Sequence, residues 1–247
     1  MTVSLHKQAQ PRLSFIIPAY NEEALLADTV QQLHRVLAQL QQPSEIVIVN
    51  DGSVDRTGSI ADTLSASLDQ VRAVHQTNQG IGGAFRAGAS LAAGDYLMLW
   101  PADMRPEAPD LTPYLSALGQ ADAIIGCRRQ RVGYNPVMLL NAWLYPKIVS
   151  VLFGLHLRDV NWIHAYRREL FLKLHLTQRG IPMLAETLVR LRDARARFIE
   201  IEVDMRLRTA GKPSAGQVSV MLRTLRGLFT FWLTWRRELR LTSRTTI

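Results

Sequence analysis

An α/β fold built on a mostly parallel sheet is predicted by three observations. Short apolar runs alternate with stretches patterned like helices. Each early run stops at a cluster of turn-forming polar residues. Those clusters carry carboxylates, amides and a tyrosine, and in parallel sheets ligands bind outside the carboxyl ends of the strands.

Taken in order, the first strand covers 13–17 and stops at Pro18-Ala19-Tyr20-Asn21-Glu22-Glu23. A helix over 22–40 follows, ended by Gln41-Gln42-Pro43. The second strand, 45–49, stops at Asn50-Asp51-Gly52-Ser53-Val54-Asp55-Arg56-Thr57, and a helix fits 57–67. The third strand is 71–75, and glycines lead from it into a helix over 81–92. The fourth, 96–100, stops at Pro101-Ala102-Asp103. A helix near 111–118 precedes a fifth strand at 123–125. Beyond Gly126-Cys127-Arg128-Arg129 the sequence turns arginine-rich, with a helix over 184–192 and a late strand over 197–203. A boundary is expected near 211–217, where Gly211, Pro213 and Gly216 cluster before a tail helix. That divides the chain into a domain over 1–215 and a tail over 216–247.

With 247 residues and 47% hydrophobic content, the chain can bury a sizeable core. The single Cys127 excludes a disulfide framework and any multi-cysteine metal site, and fits a reducing compartment. The opening residues lack an apolar core of signal-peptide length, so no secretion signal is expected. The net charge of +8 is uneven: residues 1–125 hold 7 Lys/Arg against 13 Asp/Glu, and residues 126–247 hold 22 against 8. A basic back half either is a solvated face or meets something anionic, such as a phosphorylated substrate or an acidic membrane. Nucleic acid is not expected, because the arginines form no compact run interleaved with stacking aromatics.

No stretch reaches the roughly 18 uncharged apolar residues of a membrane span. Residues 136–155 come close but contain Asn141, Pro146 and Lys147. In the tail, Val218, Met221, Leu222, Leu225, Phe229 and Trp232 recur at helical spacing, and Arg223, Arg226, Arg236, Arg237 and Arg240 supply a cationic side. This pattern predicts a helix lying in the membrane interface. The alternatives are a helix docked on the core, or one that pairs with a second copy of the chain.

The strand-end motifs carry the chemistry. Asp51-Gly52 suits a tight bend, Asp55 or Thr57 can cap the next helix, and Asp51 can accept a hydrogen bond from a nucleobase or ribose. Gly80-Ile81-Gly82-Gly83 departs from a dinucleotide fingerprint: it follows the third strand, and its third glycine is misplaced. Its small residues would let a diphosphate or a neighbouring segment approach closely. Asp103 offers one hard carboxylate, enough to hold Mg²⁺ or Mn²⁺ together with phosphate oxygens and water. His34 and His75 read as structural, and Glu200, Glu202 and Asp204 as one solvated strand face.

In this order and spacing, the motifs from Ile17-Pro18-Ala19-Tyr20-Asn21-Glu22 to Gly94-Asp95-Tyr96 resemble the inverting family-2 glycosyltransferases of the GT-A fold. Leu152-Phe153-Gly154-Leu155, Arg158-Asp159-Val160-Asn161, Tyr166-Arg167-Arg168, Glu186 and 208–214 resemble the polyprenyl-phosphate subgroup, the dolichol- and undecaprenyl-phosphate mannosyl- and glucosyltransferases. The resemblance implies a Rossmann-like sheet flanked by helices. It implies that Pro18, Tyr20, Glu22, Asn50, Asp51, Gly80, Ala102, Arg105 and Arg128 line a nucleotide-sugar pocket. Asp103 would hold the metal, Arg208 and Lys212 would face phosphates, and Glu186 would lie over the acceptor side.

Two departures stand beside the metal position: Pro101 replaces the family's usual first Asp, and Arg105 a common Gln. Trp162-Ile163-His164 replaces its Cys-Gly-Phe. The expected activity is transfer of a hexose from a UDP- or GDP-sugar to a polyprenyl phosphate, at the cytoplasmic membrane face and with inversion. The alternatives are a transferase acting on a sugar hydroxyl, with Glu186 as base, and a non-catalytic nucleotide-sugar-binding subunit.

Overall fold

The computed structural model describes residues 12–204 and 218–245. Seven strands form one sheet in the order β3-β2-β1-β4-β6-β5-β7. They are β1 (Leu13–Ala19), β2 (Ser44–Asp51), β3 (Val71–Gln76), β4 (Tyr96–Leu99), β5 (Ala123–Arg128), β6 (His164–Arg167) and β7 (Phe198–Val203). All pairings are parallel except those of β6, which runs antiparallel between β4 and β5. Every residue of β2 is buried, as expected for an interior strand covered on both faces.

Helices cover both faces. On one, α1 (Leu26–Gln39), α2 (Thr57–Ser67) and α4 (Ala108–Ala117) pack Leu33, Leu64 and Leu111 against Phe15, Ile17 and Ile48. On the other, α3 (Ile81–Leu91), α5 (Pro136–Phe153), α6 (Arg168–Phe171), α7 (Pro182–Asp193) and α8 (Val218–Thr245) surround Ile16, Val47, Leu97 and Tyr166. The period-two alternation along β1 assigns Phe15 and Ile17 to one layer and Ile16 to the other.

The predicted elements of the first half are present, α2 with the expected bounds. The tail helix runs on to Thr245 and packs on α7, with Leu228 and Phe231 fully buried and Phe231 stacked on Phe153. Within 136–155 lies α5, Pro136–Phe153, which departs from the expectation that this stretch falls short of membrane-span length. Asn135 accepts from Met138 N at 2.8 Å, Gly154 closes the helix with a φ of +65°, and the helix passes through Asn141, Pro146 and Lys147. By length and composition alone it could cross a membrane, yet Met138, Tyr145, Val149 and Phe153 bury one of its faces.

Candidate active site

The strand order reverses between β1 and β4, with β2 and β3 continuing outward beyond β1. Loops leaving the two strands at such a switch point diverge and open a crevice. Here those loops are 18–25 and 100–107, with Asn50, Asp51 and Gly80 on the next two loops.

The loops lock onto one another. Asn21 N donates to Ser53 Oγ at 3.0 Å, and Val54 N returns a bond to Asn21 Oδ1 at 3.0 Å. Glu22 N donates to Thr57 Oγ1 at 2.8 Å, and Arg56 N and Nε both donate to Glu23 Oε2 at 3.1 Å. Asp55 accepts from Thr57 N at 3.0 Å, as the capping expectation requires. Asn21 takes a left-handed φ of 56°, an uncommon conformation that these bonds stabilise. Tyr20 beside it is half-exposed, and Pro18 is partly buried at the strand end.

Asp51 is buried at the end of β2. Its Oδ1 accepts from Gln79 N at 2.8 Å and Gln76 Nε2 at 2.6 Å, and both bonds fall on that one oxygen. Asn50 turns the other way, to His75 Nδ1 at 3.0 Å, and His75 Nε2 lies 2.8 Å from Asp62. His75 is thus structural, as expected.

The Asp103 loop is pinned by an aromatic. Trp100 is buried against Phe15 in an edge-on contact, and its indole Nε1 donates to Met104 O at 2.7 Å. This closes the chain around Pro101-Ala102-Asp103, with Ala102 buried and Asp103 partly exposed. Among the described residues no group of three or more His, Cys, Asp or Glu side chains converges to cage a metal. One hard carboxylate at a strand end still suits a cation that arrives with a diphosphate and keeps phosphate and water ligands. The Arg105 guanidinium is ion-paired with Asp28 on α1, both of them half-exposed.

Arg128 lies on the same sheet edge, because β5 and β4 both run antiparallel to β6. It is buried in a dense polar cluster. Nε and Nη2 grip Asp159 at 2.7 and 2.9 Å, Nη1 donates to Tyr134 Oη at 2.6 Å, and the guanidinium stacks 4.5 Å above the Trp162 ring. Arg131 adds a second cation 3.5 Å from Asp159. Burial favours the neutral acid, but the hydrogen bonds and charge of Arg128 outweigh it and hold Asp159 below the usual carboxylate range. The glycine before this pair has a packing reason: a Cβ at Gly126 would fall 1.9 Å from Tyr114 Oη, which donates to Ile163 O.

Asp159, Tyr134 and Trp162 had no assigned role in the sequence. A buried arginine at a strand end calls for a carboxylate, but that signal does not say which one. Beside the cluster, His164 is buried with neither ring nitrogen in a hydrogen bond of good geometry among the described residues, and burial pushes its pKa down to about 4.

Glu186 sits apart from these loops, fully buried on α7, its carboxylate bonded to Thr177, Gln178 and Arg190. Glu200 and Glu202 pair with Arg158, and Arg129 pairs with Glu202 and Asp204, an ion-pair network across the strand face. Arg208 and Lys212 lie outside the described residues.

Two strand ends on this edge of the sheet thus carry a carboxylate, Asp51 and Asp103, and a third carries the buried Arg128. The comparisons agree with this architecture. Residues 14–175 match the family model Glycosyl transferase family 2. An undecaprenyl-phosphate mannosyltransferase of Micrococcus luteus is 31% identical over 240 residues, 90% of this chain and 96% of that protein. A polyprenol monophosphomannose synthase of Mycolicibacterium smegmatis is 32% identical over 67% of the chain and 65% of its own length. An undecaprenyl-phosphate 4-deoxy-4-formamido-L-arabinose transferase of Proteus mirabilis is 26% identical, and the chain spans only 59% of it. Among solved structures, glucosyl-3-phosphoglycerate synthase of Mycobacterium tuberculosis with Mn²⁺, UDP and glucosyl-3-phosphoglycerate superposes with a TM-score of 0.69. It is 17% identical, covering 90% of this chain and 80% of that one, a likeness of GT-A-type fold. By its strand-end motifs, its sheet and its matched span, the chain belongs to glycosyl transferase family 2.

Proposed function

We propose that this protein transfers a hexose from a nucleotide-sugar to a polyprenyl phosphate at the cytoplasmic face of the membrane, with inversion. The observation that carries the reading is that Asp51 ends β2 and Asp103 follows β4, the two strands that flank β1 in the sheet. The near full-length likeness to a mannosyltransferase supports the acceptor class. Asp51 would bind the base or ribose of a UDP- or GDP-linked donor, with Tyr20, Pro18, Glu22 and Asn50 around it. Asp103 would hold Mg²⁺ or Mn²⁺, which stabilises charge on the departing diphosphate. Arg208 and Lys212 would add cations at the phosphates. An acceptor phosphate oxygen attacks the sugar C1, the bond from C1 to the diphosphate oxygen breaks, and the nucleoside diphosphate leaves.

A phosphate oxygen is already anionic near neutral pH, so no strong base is required. A sugar-hydroxyl acceptor would need one, and the Glu186 carboxylate is committed to four donor groups. Residues 1–215 would form the catalytic domain and 216–247 the docking tail. Docking would use two helices. α5 exposes Val137, Leu140, Trp143 and Val151, with Lys147 Nζ 3.6 Å over the Trp143 ring. α8 exposes Leu222, Phe229 and Leu233 on its side, with Arg236 over Trp232. Apolar faces carrying aromatics and cations suit an anionic bilayer surface.

The test is a screen of radiolabelled UDP- and GDP-sugars against a polyprenyl phosphate, with products extracted into organic solvent. Label entering the organic phase with one donor is expected, and Asp103→Asn should abolish it while circular dichroism stays unchanged. Transfer only to a sugar hydroxyl, or none with any donor, would overturn the reading.

A further inference from the structure

The turn that opens α3 is held from behind by a loop distant in sequence. Gly82 N donates to Arg179 O at 2.7 Å, and Arg86 Nη1 to Gln178 O at 2.9 Å. The fit leaves no room for side chains. Gly80 has a φ of +74° and a Cβ there would lie 2.7 Å from Arg179 O, while one at Gly82 would meet Gln178 O at 2.7 Å. The start of α3 has no side-chain cap. A helix N–H that a cap or water would normally satisfy is therefore taken by the 177–179 segment.

That segment in turn hangs on Glu186. Both carboxylate oxygens accept from Thr177 N at 2.9 Å, Oε1 also accepts from Thr177 Oγ1 at 2.9 Å, and Oε2 from Gln178 N at 2.8 Å. Arg190 Nε, one turn along α7, donates to Oε1 at 3.2 Å, and its two Nη atoms reach Glu238 on α8 at 3.0 and 3.3 Å. The amides of 177 and 178 point at Glu186, and the carbonyls of 178 and 179 point at α3. The segment is a strut with one end anchored in α7 and the other seated on the Gly80–Gly83 turn. Charge-assisted bonds of this kind are stronger than neutral ones.

We propose that Glu186 is a positioning residue of the donor site, holding the 177–179 strut so that the Gly80–Gly83 turn, and with it the Gln79 amide bonded to Asp51, is pre-shaped for the nucleotide. The inference rests on the proposed donor site and gives Glu186 a role other than that of a base. Without the strut the turn must be ordered by the ligand itself, and donor affinity falls.

Glu186→Gln keeps the shape but turns one acceptor oxygen into an NH₂ group that faces the same amides. Calorimetry with UDP and with GDP is expected to show about a tenfold weaker Kd for whichever nucleotide the wild type binds, equivalent to 1.4 kcal/mol. The donor KM should rise alike, with kcat and its pH profile unchanged, the pattern of lost uniform binding. A base would give the opposite pattern, a fall in kcat at constant donor KM, and that result overturns the proposal. Hydrogen exchange on the ligand-free protein is the independent arm: the Gly82 amide should exchange about tenfold faster in Glu186→Gln. Unchanged exchange at Gly82 overturns the strut. Gly82→Ala attacks the same contact from α3 and should weaken the nucleotide similarly; if Glu186→Gln does not fold, an unaltered Kd in Gly82→Ala overturns the inference. If the wild type binds neither nucleotide, the donor site is refuted together with the donor half of this inference, and the exchange arm decides the strut.

Discussion

Acidification should destabilise this protein through one imidazole before its carboxylates titrate. His164 is buried, and among the described residues neither ring nitrogen has a hydrogen bond of good geometry. Burial pushes its pKa down to about 4, and the negative charge of Asp159 and the backbone at Val160 and Ile163 only partly oppose this. In the unfolded chain it titrates near 6.5. Between those values the unfolded state binds a proton that the folded state excludes, so stability falls as the pH falls. The effect is absent above the unfolded pKa and complete below about 4. Each pH unit within the window costs about 1.4 kcal/mol, so by pH 4.5 the loss is about 2.5 kcal/mol. That is a large fraction of a typical domain's 5–15 kcal/mol. Asp159, Asp122 and Glu45, held below their ordinary values, have the same sign but act lower. Their stabilisation is full above the unfolded carboxylate pKa near 4 and is lost as the pH falls through the folded values. The perturbation is His164→Phe, which keeps a buried aromatic ring and removes the titrating group. Urea unfolding followed by circular dichroism from pH 7.5 to 4.5 should show the wild type losing about 2.5 kcal/mol and the variant staying nearly level over the same range. Parallel pH profiles for the two proteins would refute the reasoning.

Two further predictions follow from packing. Asp159→Asn leaves the Arg128 side chain, only 5% exposed, without a counter-charge, and breaking a buried pair on one side costs about 3–5 kcal/mol. Chemical denaturation at pH 7 should show a loss toward the lower end, because Asn keeps one acceptor; a loss under about 0.5 kcal/mol, within the range of ordinary surface changes, would mean that water or Tyr134 satisfies the guanidinium. For the membrane, co-sedimentation should favour anionic over neutral vesicles and weaken with salt. Trp143→Ser on α5 and Phe229→Ser on α8 should each lower it without unfolding the protein, since both side chains are more than half exposed. Equal sedimentation of the double variant and the wild type would place the contact elsewhere. Deleting α8 would be a poor test, because it strips Leu228 and Phe231 from the core.

Much of this was legible in the sequence, for a physical reason. Parallel strands are buried on both faces, so β1, β2 and β4 read as mostly apolar runs that stop at turn residues. The chemistry of the crevice is carried in contiguous motifs, and Asp51 and Asp103 declare themselves locally. β6 did not: His164–Arg167 is four residues long, half polar, and set by its neighbours in the sheet. α5 carried its own end signals in Asn135 and Gly154, but Pro146 and Lys147 read as interruptions. The Arg128–Asp159 pair and the Glu186 strut were invisible because their partners lie far apart in the chain or are backbone groups. A residue type at one position cannot announce a carbonyl supplied by a remote loop.

The late arrival of β6 has a consequence for how the chain is made. β6 is inserted between β4 and β5, so a nascent chain that has emerged only through β5 cannot assemble the sheet. Until residue 167 leaves the ribosome, β4 has an unpaired edge made of Tyr96, Leu97, Met98 and Leu99, all buried in the finished protein. An exposed apolar edge of this kind invites pairing with other chains. Chaperone dependence during synthesis, and aggregation of fragments ending between 130 and 160, should therefore be concentrated in this protein at one strand gap rather than spread over its length.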